Sequence, residues 1–171
     1  VELRQVTEYP WKGDVAISVK PDAPAEFALH VRVPGWAREQ PVPSELYKYK
    51  DGAGQPYTLS VNGQPVKVEL DRGYAVLKRR WKAGDTVQLS LPMDVQRLAA
   101  HPNVLQAQGK IAVRRGPLIY AFEQADNDVP LHDVVLPVDA KFTSRVDPTL
   151  AGGVVRLTTE GLMHPAANWD G

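Results

Sequence analysis

The sequence predicts an all-β chain, an antiparallel β-sandwich with few or no helices. Three observations carry this expectation. Short runs of period-two alternation recur at spacings of about 8 to 12 residues. Turns containing Gly, Pro and Asn separate them. No segment repeats its apolar residues at the helical period. Side chains on a strand point alternately to opposite sides, so each alternating run has a dry face that a second layer must cover.

From the start of the chain, Val1 to Tyr9 is polar and β-leaning, and Tyr9-Pro10-Trp11-Lys12-Gly13-Asp14 makes a turn. Val15, Ile17 and Val19 then alternate with Ala16, Ser18 and Lys20. Pro21 to Pro24 interrupts the pattern. Phe27, Leu29, Val31 and Val33 against Ala28, His30 and Arg32 form the cleanest strand, which Pro34-Gly35 ends, leaving Trp36 to cap an edge of the core. Ala37 to Pro56 has no sustained period and reads as a long surface loop or insertion. Tyr57 to Asn62 resumes a strand with Leu59 and Val61 inward. Asn62-Gly63 is the strongest hairpin signal, because both residues tolerate positive φ, and Val66, Val68 and Leu70 supply the return strand.

After the turn Asp71-Arg72-Gly73, the stretch Gly73 to Met93 reads as one long β-hairpin reversing at Lys82-Ala83-Gly84-Asp85. Ala75, Leu77 and Trp81 form the dry side of its first arm, and Val87, Leu89 and Leu91 that of its second. Asp94 to Ala100 fits a strand or a short helical turn, with the strand favoured, and Lys110 to Arg115 is an expected strand. Leu118-Ile119-Tyr120-Ala121-Phe122, apolar on both faces, suits a strand covered on both sides. Val134 to Val138 and Val154 to Thr159 are the last expected strands, before an irregular tail from Leu162 to Gly171. This divides the chain into a β-sandwich module over residues 1–127, with 37–56 as its long loop, and residues 128–171 as extra strands and tail beginning an incomplete second β module.

Composition narrows the function classes. With 43% apolar and 23% charged residues the chain is globular in character. Twenty Lys and Arg balance twenty Asp and Glu, so no net field draws it to nucleic acid or anionic lipid. No apolar run nears the roughly 20 residues that span a bilayer, so a soluble chain is expected. The absence of cysteine removes disulfides, thiolate nucleophiles and thiolate zinc sites. Beginning without Met on a strand, the chain reads as a piece of a longer polypeptide.

No catalytic set emerges. Glu69 and Asp71 share the wet side of a strand, as period two requires, and offer the two carboxylates a glycosidase uses, but they read as a solvated edge. His30, His101, His132 and His164 are scattered. Asp126-Asn127-Asp128 lacks the loop glycine and distal glutamate of a calcium-binding EF-hand and reads as a turn, so no metal site is assigned. Arg32, Arg79, Arg80, Arg114 and Arg115 are expected to bridge Asp71, Asp85 or Glu123, or to contact another domain. Aromatic rings can stack on the C–H faces of sugars, and Trp36, Tyr47, Tyr49 and Tyr57 are the candidate carbohydrate-binding residues, the tyrosines because their loop reaches solvent.

A family resemblance runs through the same segments. Tyr9-Pro10-Trp11 with Gly13-Asp14, Arg32-Val33-Pro34-Gly35-Trp36-Ala37, Val61-Asn62-Gly63, Gly73-Tyr74, Arg80-Trp81 with Gly84-Asp85, Leu91-Pro92-Met93, and Arg115-Gly116-Pro117-Leu118 through Tyr120, Glu123, Asp126 and Asn127 follow in order. Together they resemble glycoside hydrolase family 127, in which the 37–56 segment is usually shorter. The resemblance implies release of β-L-arabinofuranose by a helical barrel, holding a zinc-bound cysteine nucleophile and a glutamate acid/base, with β-sandwich modules behind it. Only the part behind the barrel is resembled. The implied chain is a noncatalytic accessory region with no cofactor of its own, zinc belonging to the parent enzyme. Its implied partner is the missing barrel of the same polypeptide. Self-association through exposed strand edges and a bacterial cytoplasmic or periplasmic location are also expected, with no nucleic acid or membrane partner. The alternative reading is a carbohydrate-binding module for arabinose-containing glycans. The further strands that would complete the family's second sandwich are not found after Trp169.

Overall fold

The computed structural model describes residues 1–52 and 54–163, so His164, Trp169 and most of the tail lie outside the described residues. Twelve strands run through the first part of the chain: β1 (Glu2–Thr7), β2 (Asp14–Lys20), β3 (Ala25–Arg32), β4 (Tyr47–Tyr49), β5 (Thr58–Val61), β6 (Gln64–Pro65), β7 (Leu70–Asp71), β8 (Tyr74–Trp81), β9 (Asp85–Ser90), β10 (Val95–Ala100), β11 (Ile111–Arg115) and β12 (Leu118–Tyr120). Antiparallel pairing gathers them into a five-stranded sheet β1-β2-β9-β5-β6, a three-stranded sheet β3-β8-β7 and a four-stranded sheet β12-β11-β10-β4. Among the described residues the only helices are four short 3-10 turns, as the sequence predicts.

The five- and three-stranded sheets close on one core. Val19, Leu59, Val61, Val87, Leu89 and Leu91 face Leu29, Val31, Val33, Ala75, Leu77 and Trp81, all buried. These are the dry faces that alternation marks out, now filling each other's grooves. One expectation fails: Gly73 to Met93 is not a hairpin. β8 pairs with β3 and β7, whereas β9 pairs with β2 and β5, so residues 82–84 carry the chain from one layer to the other. In a hairpin the apolar sets of β8 and β9 would lie side by side on one sheet. Here they meet across the sandwich, which buries both without a third element.

The return strand after Asn62-Gly63 is likewise divided. The turn forms as expected, with φ of 51° at Asn62 and 76° at Gly63. Gln64 and Pro65 pair back onto β5 and the Val66 N–H donates to the Leu59 carbonyl at 2.9 Å, but by Leu70 the chain has joined the opposite sheet beside β8. Ala37 to Pro56 is more than a loop, because its Tyr47–Tyr49 pairs with β10. β12 is not covered on both sides, since Ile119 is 60% exposed.

Gly13 shows how closely neighbouring backbones approach where the β2–β9 ladder ends. A Cβ there would run into the carbonyl oxygen of Leu91, whose N–H donates to the Gly13 carbonyl at 3.0 Å. Backbone against backbone leaves nothing that can yield by rotating. Gly13→Ala is therefore expected to lower stability by about 2 kcal/mol or more, read from urea midpoints.

The chain divides into two compact units, Val1–Ile119 and Tyr120–Gly171. Within the second, β13 (Val134–Val135) pairs with β16 (Leu162–Met163) and β14 (Thr143–Asp147) with β15 (Val154–Thr158). The turn after β14 is held by Asp147, which accepts from the N–H and hydroxyl of Thr149 and pairs with Arg156 at 3.2 Å. β14 escapes sequence reading because Thr143-Ser144-Arg145-Val146-Asp147 has no apolar alternation. Asp126-Asn127-Asp128 is a turn as predicted, with the Asn127 amide donating to the Glu123 carbonyl at 2.7 Å.

Candidate functional site

The candidate site grows from the end of β3. Pro34 leads into the 3-10 turn Gly35–Arg38, which swings Trp36 over the rim of the core while Ala37 is buried beneath. Arg38 donates to the Val33 carbonyl at 3.2 Å, and Glu39, at a φ of 65°, closes the turn. The insertion then returns as β4 and lays Tyr49 opposite Leu98 and Tyr47 opposite Ala100. Pairing makes both tyrosines half-buried, which corrects the expectation that they reach solvent from a loop.

A buried cation ties this region together. Arg114 is 6% exposed and donates to the carbonyls of Gly116, at 2.6 Å, and Pro41, at 3.0 Å. Its Nη1 also reaches the Tyr49 hydroxyl at 3.3 Å, and that hydroxyl donates to the Trp36 carbonyl at 3.0 Å. The guanidinium lies 5.6 Å from the centre of the Trp36 ring. Burial pushes the Arg114 pKa down, and the neighbouring phenol oxygens of Tyr49 and Tyr9 oppose it. Burial likewise pushes the Tyr49 phenol up, against the pull of Arg114. Neutral pH leaves the cation charged and the phenol protonated, so carbonyl and phenol dipoles do the solvating that water would. Beside it, Arg97 clamps Asp51 through Nε and Nη2, and its hydrogen bond is the main cause holding the Asp51 carboxyl below the usual range.

Three of the four predicted aromatics meet. Trp36, Tyr49 and Tyr57 line one pocket of about 170 Å³ together with Glu39 and Gln96. Tyr47 does not join them and lines a neighbouring, more open depression beside Pro43 and Glu45. Gln96 and Glu39 carry no sequence signal for this role, because the pocket arises only when the insertion pairs onto β10. The remaining candidates stay apart. Glu69 precedes β7, both it and Asp71 are exposed, and Asp71 pairs with Arg72 at 3.3 Å. The arginines mostly hold main-chain carbonyls rather than the carboxylates expected: Arg32 donates to Gly73 at 3.0 Å and Arg115 to Trp11 at 2.9 Å. Arg79 lies over the Trp81 ring at 5.1 Å. No group of three His, Asp or Glu side chains gathers among the described residues.

Comparison with known proteins places this architecture among glycoside hydrolases. Residues 1–93 match the middle domain of family 127 β-L-arabinofuranosidases, and residues 95–158 match the C-terminal domain of glycoside hydrolase family 127. The chain is 34% identical over 164 residues to the non-reducing end β-L-arabinofuranosidase of Bifidobacterium longum subsp. longum, covering 89% of this chain and 22% of that protein. A solved family 127 β-arabinofuranosidase superposes with a TM-score of 0.89 at 35% identity, over 94% of this chain and 25% of that one. The family 127 β-L-arabinofuranosidase of Geobacillus stearothermophilus T6 gives 0.83 at 34% identity, over 99% and 24%. The chain thus spans about a quarter of the length of these relatives. The two matched domains share a sheet here, since β4 from the first pairs with β10 of the second.

Proposed function

The chain belongs to glycoside hydrolase family 127, and from that premise we propose that it is the noncatalytic β-sandwich region of a β-L-arabinofuranosidase-like enzyme, bracing the helical barrel that performs the hydrolysis. The observation that carries the reading is which part of the family is matched: the middle and C-terminal domains, about a quarter of relatives named for the activity. The side chains support it, because the buried charged residues Asp85 and Arg114 spend their hydrogen bonds on turns and carbonyls of the scaffold. The resemblance attaches zinc to a cysteine of the barrel. This chain has no cysteine, and no His, Asp or Glu group gathers among the described residues, so its residues do not fit that ion.

The edge of β1 belongs to the same proposal. It is the outermost strand of its sheet, and Leu3 and Val6 are 51% and 57% exposed. An open edge of this kind takes another strand by main-chain pairing, which is how separate copies of the chain would associate when the barrel is absent.

The reading is tested by assaying the purified chain on an aryl β-L-arabinofuranoside. No turnover above the uncatalysed rate is expected. Hydrolysis that one Glu or Asp substitution within the chain abolishes would overturn the assignment.

A further inference from the structure

The pocket beside Trp36 has a chemistry that a brace alone does not use. At about 170 Å³ it is smaller than the roughly 300–1,000 Å³ that drug-sized ligands occupy, so it admits a single small ring and not an extended chain. Its apolar part is aromatic, supplied by Trp36 and Tyr57. Its polar part draws on Gln96, Tyr57 and Glu39, an amide, a hydroxyl and a carboxylate, with Arg38 also in the lining. None of the Gln96, Tyr57 and Glu39 side chains hydrogen-bonds to a described residue. Tyr49, in contrast, has its hydroxyl committed to Trp36 and Arg114 and contributes only a wall.

The pocket is also held in shape before anything enters. Arg114 lies over the indole, and a Cβ at Gly116 would come within 3.7 Å of its tip. Tyr57 packs against the main core. The backbone at Gly54 lies so close to Gln96 that a Cβ there would stand 2.8 Å from its amide nitrogen. A preformed site loses little side-chain freedom on binding, which favours weak ligands with few atoms. An aromatic wall suited to C–H faces, opposed by an amide and a hydroxyl that donate and accept and by a carboxylate that accepts from hydroxyls, is complementary to a polyhydroxylated ring rather than to an anion.

We propose that this pocket, built by Trp36, Tyr57, Gln96 and Glu39, binds one neutral monosaccharide unit. The proposal goes beyond the bracing role and stands apart from it, since a chain that never turns over substrate can still hold a sugar. The test is a titration of the isotopically labelled chain, followed by NMR, with L-arabinose, with D-glucose and with glycerol as the polyol control. Saturable shifts in the millimolar range are expected with at least one sugar, centred on Trp36, Tyr57 and Gln96 and absent with glycerol. Tyr57→Phe removes a hydroxyl that has no hydrogen-bond partner among the described residues, and Gln96→Ala removes an amide that likewise has none there. Each is expected to weaken binding roughly fivefold while leaving the melting temperature within a degree or two, the loss of one hydrogen bond to ligand. No saturable shift with either sugar, equal shifts with glycerol, or binding undiminished in both variants would overturn it. None of those results would touch the activity assay that tests the bracing role.

Discussion

Trp81→Ala is expected to cost about 4 kcal/mol, the upper range for removing a buried aromatic, and to lower the melting temperature by roughly 12 °C. Trp81 is fully buried at the end of β8, where the chain leaves one sheet for the other. Its ring stacks on Phe27 with centroids 5.9 Å apart, and its indole N–H donates to the Phe27 carbonyl at 3.1 Å. Alanine would leave a cavity that Phe27 alone cannot fill and a carbonyl without its side-chain donor. Trp81→Phe separates the two contributions, since it keeps most of the ring packing and loses only the N–H, for an expected cost of about 1 to 2 kcal/mol. Urea unfolding of both variants checks the ordering. A Trp81→Ala chain within about 1 kcal/mol of the parent would show that this corner is not part of the cooperative core.

On the other side of the same crossing, Asp85→Ala is expected to cost about 3 kcal/mol. Asp85 is 2% exposed, accepting from the Lys82 N–H at 2.9 Å and from the Asn62 amide at 2.9 Å. Asn62 in turn accepts from the Thr86 N–H at 2.8 Å, so one carboxylate fixes both the crossing and the neighbouring hairpin turn. Removing it strands two donors in a nearly dry place. The Lys82 N–H is the main cause holding the Asp85 carboxyl below its ordinary range, helped by the Asn62 amide and opposed by burial. A carboxyl depressed on folding contributes stability that is fully present above its unfolded value, about 3.9, and is lost as pH falls through the folded value. Asp51, held down by Arg97, acts in the same direction. Asp85→Asn should therefore be destabilised at pH 7, with a deficit that shrinks progressively as pH falls below about 3.9. A deficit that does not shrink with acid would show that the charge is not what Asp85 supplies.

Much of this architecture is legible in the chain, and the misreadings have one physical source. Alternation identifies which residues are dry, and the core contains the expected Val19, Leu29, Leu77, Trp81, Val87 and Leu89. It also locates turns whose conformation a particular residue demands, as at Asn62-Gly63. It says nothing about which strand a dry face will meet. A hairpin and a crossing between layers present the same pattern, so Gly73 to Met93 was open to either. The visible difference is Asp85, an acid placed where the wet face of the turn becomes interior. The pocket lies further beyond reach. Trp36 can be read from the Pro34-Gly35 break before it, but Gln96 and Glu39 acquire their positions through pairings between distant segments. Arg114, which steadies the indole, finds its Pro41 acceptor 73 residues away.

The crossing at 82–84 has an effect on how this fold can be cut and rejoined. Because the chain passes from sheet to sheet between β2 and β3, between β3 and β5, between β6 and β7 and again between β8 and β9, neither layer is contiguous in the gene, and any breakpoint between the end of β3 and the start of β8 divides both. Recombination within that span would yield two halves, each missing strands from both layers. The segment joining β3 to β5 makes one of these crossings, but it adds β4 to a different sheet and leaves the strand pairs of the sandwich uninterrupted. Variation in length can accumulate there without dismantling the rest, and new surface features of this scaffold are to be sought on that graft.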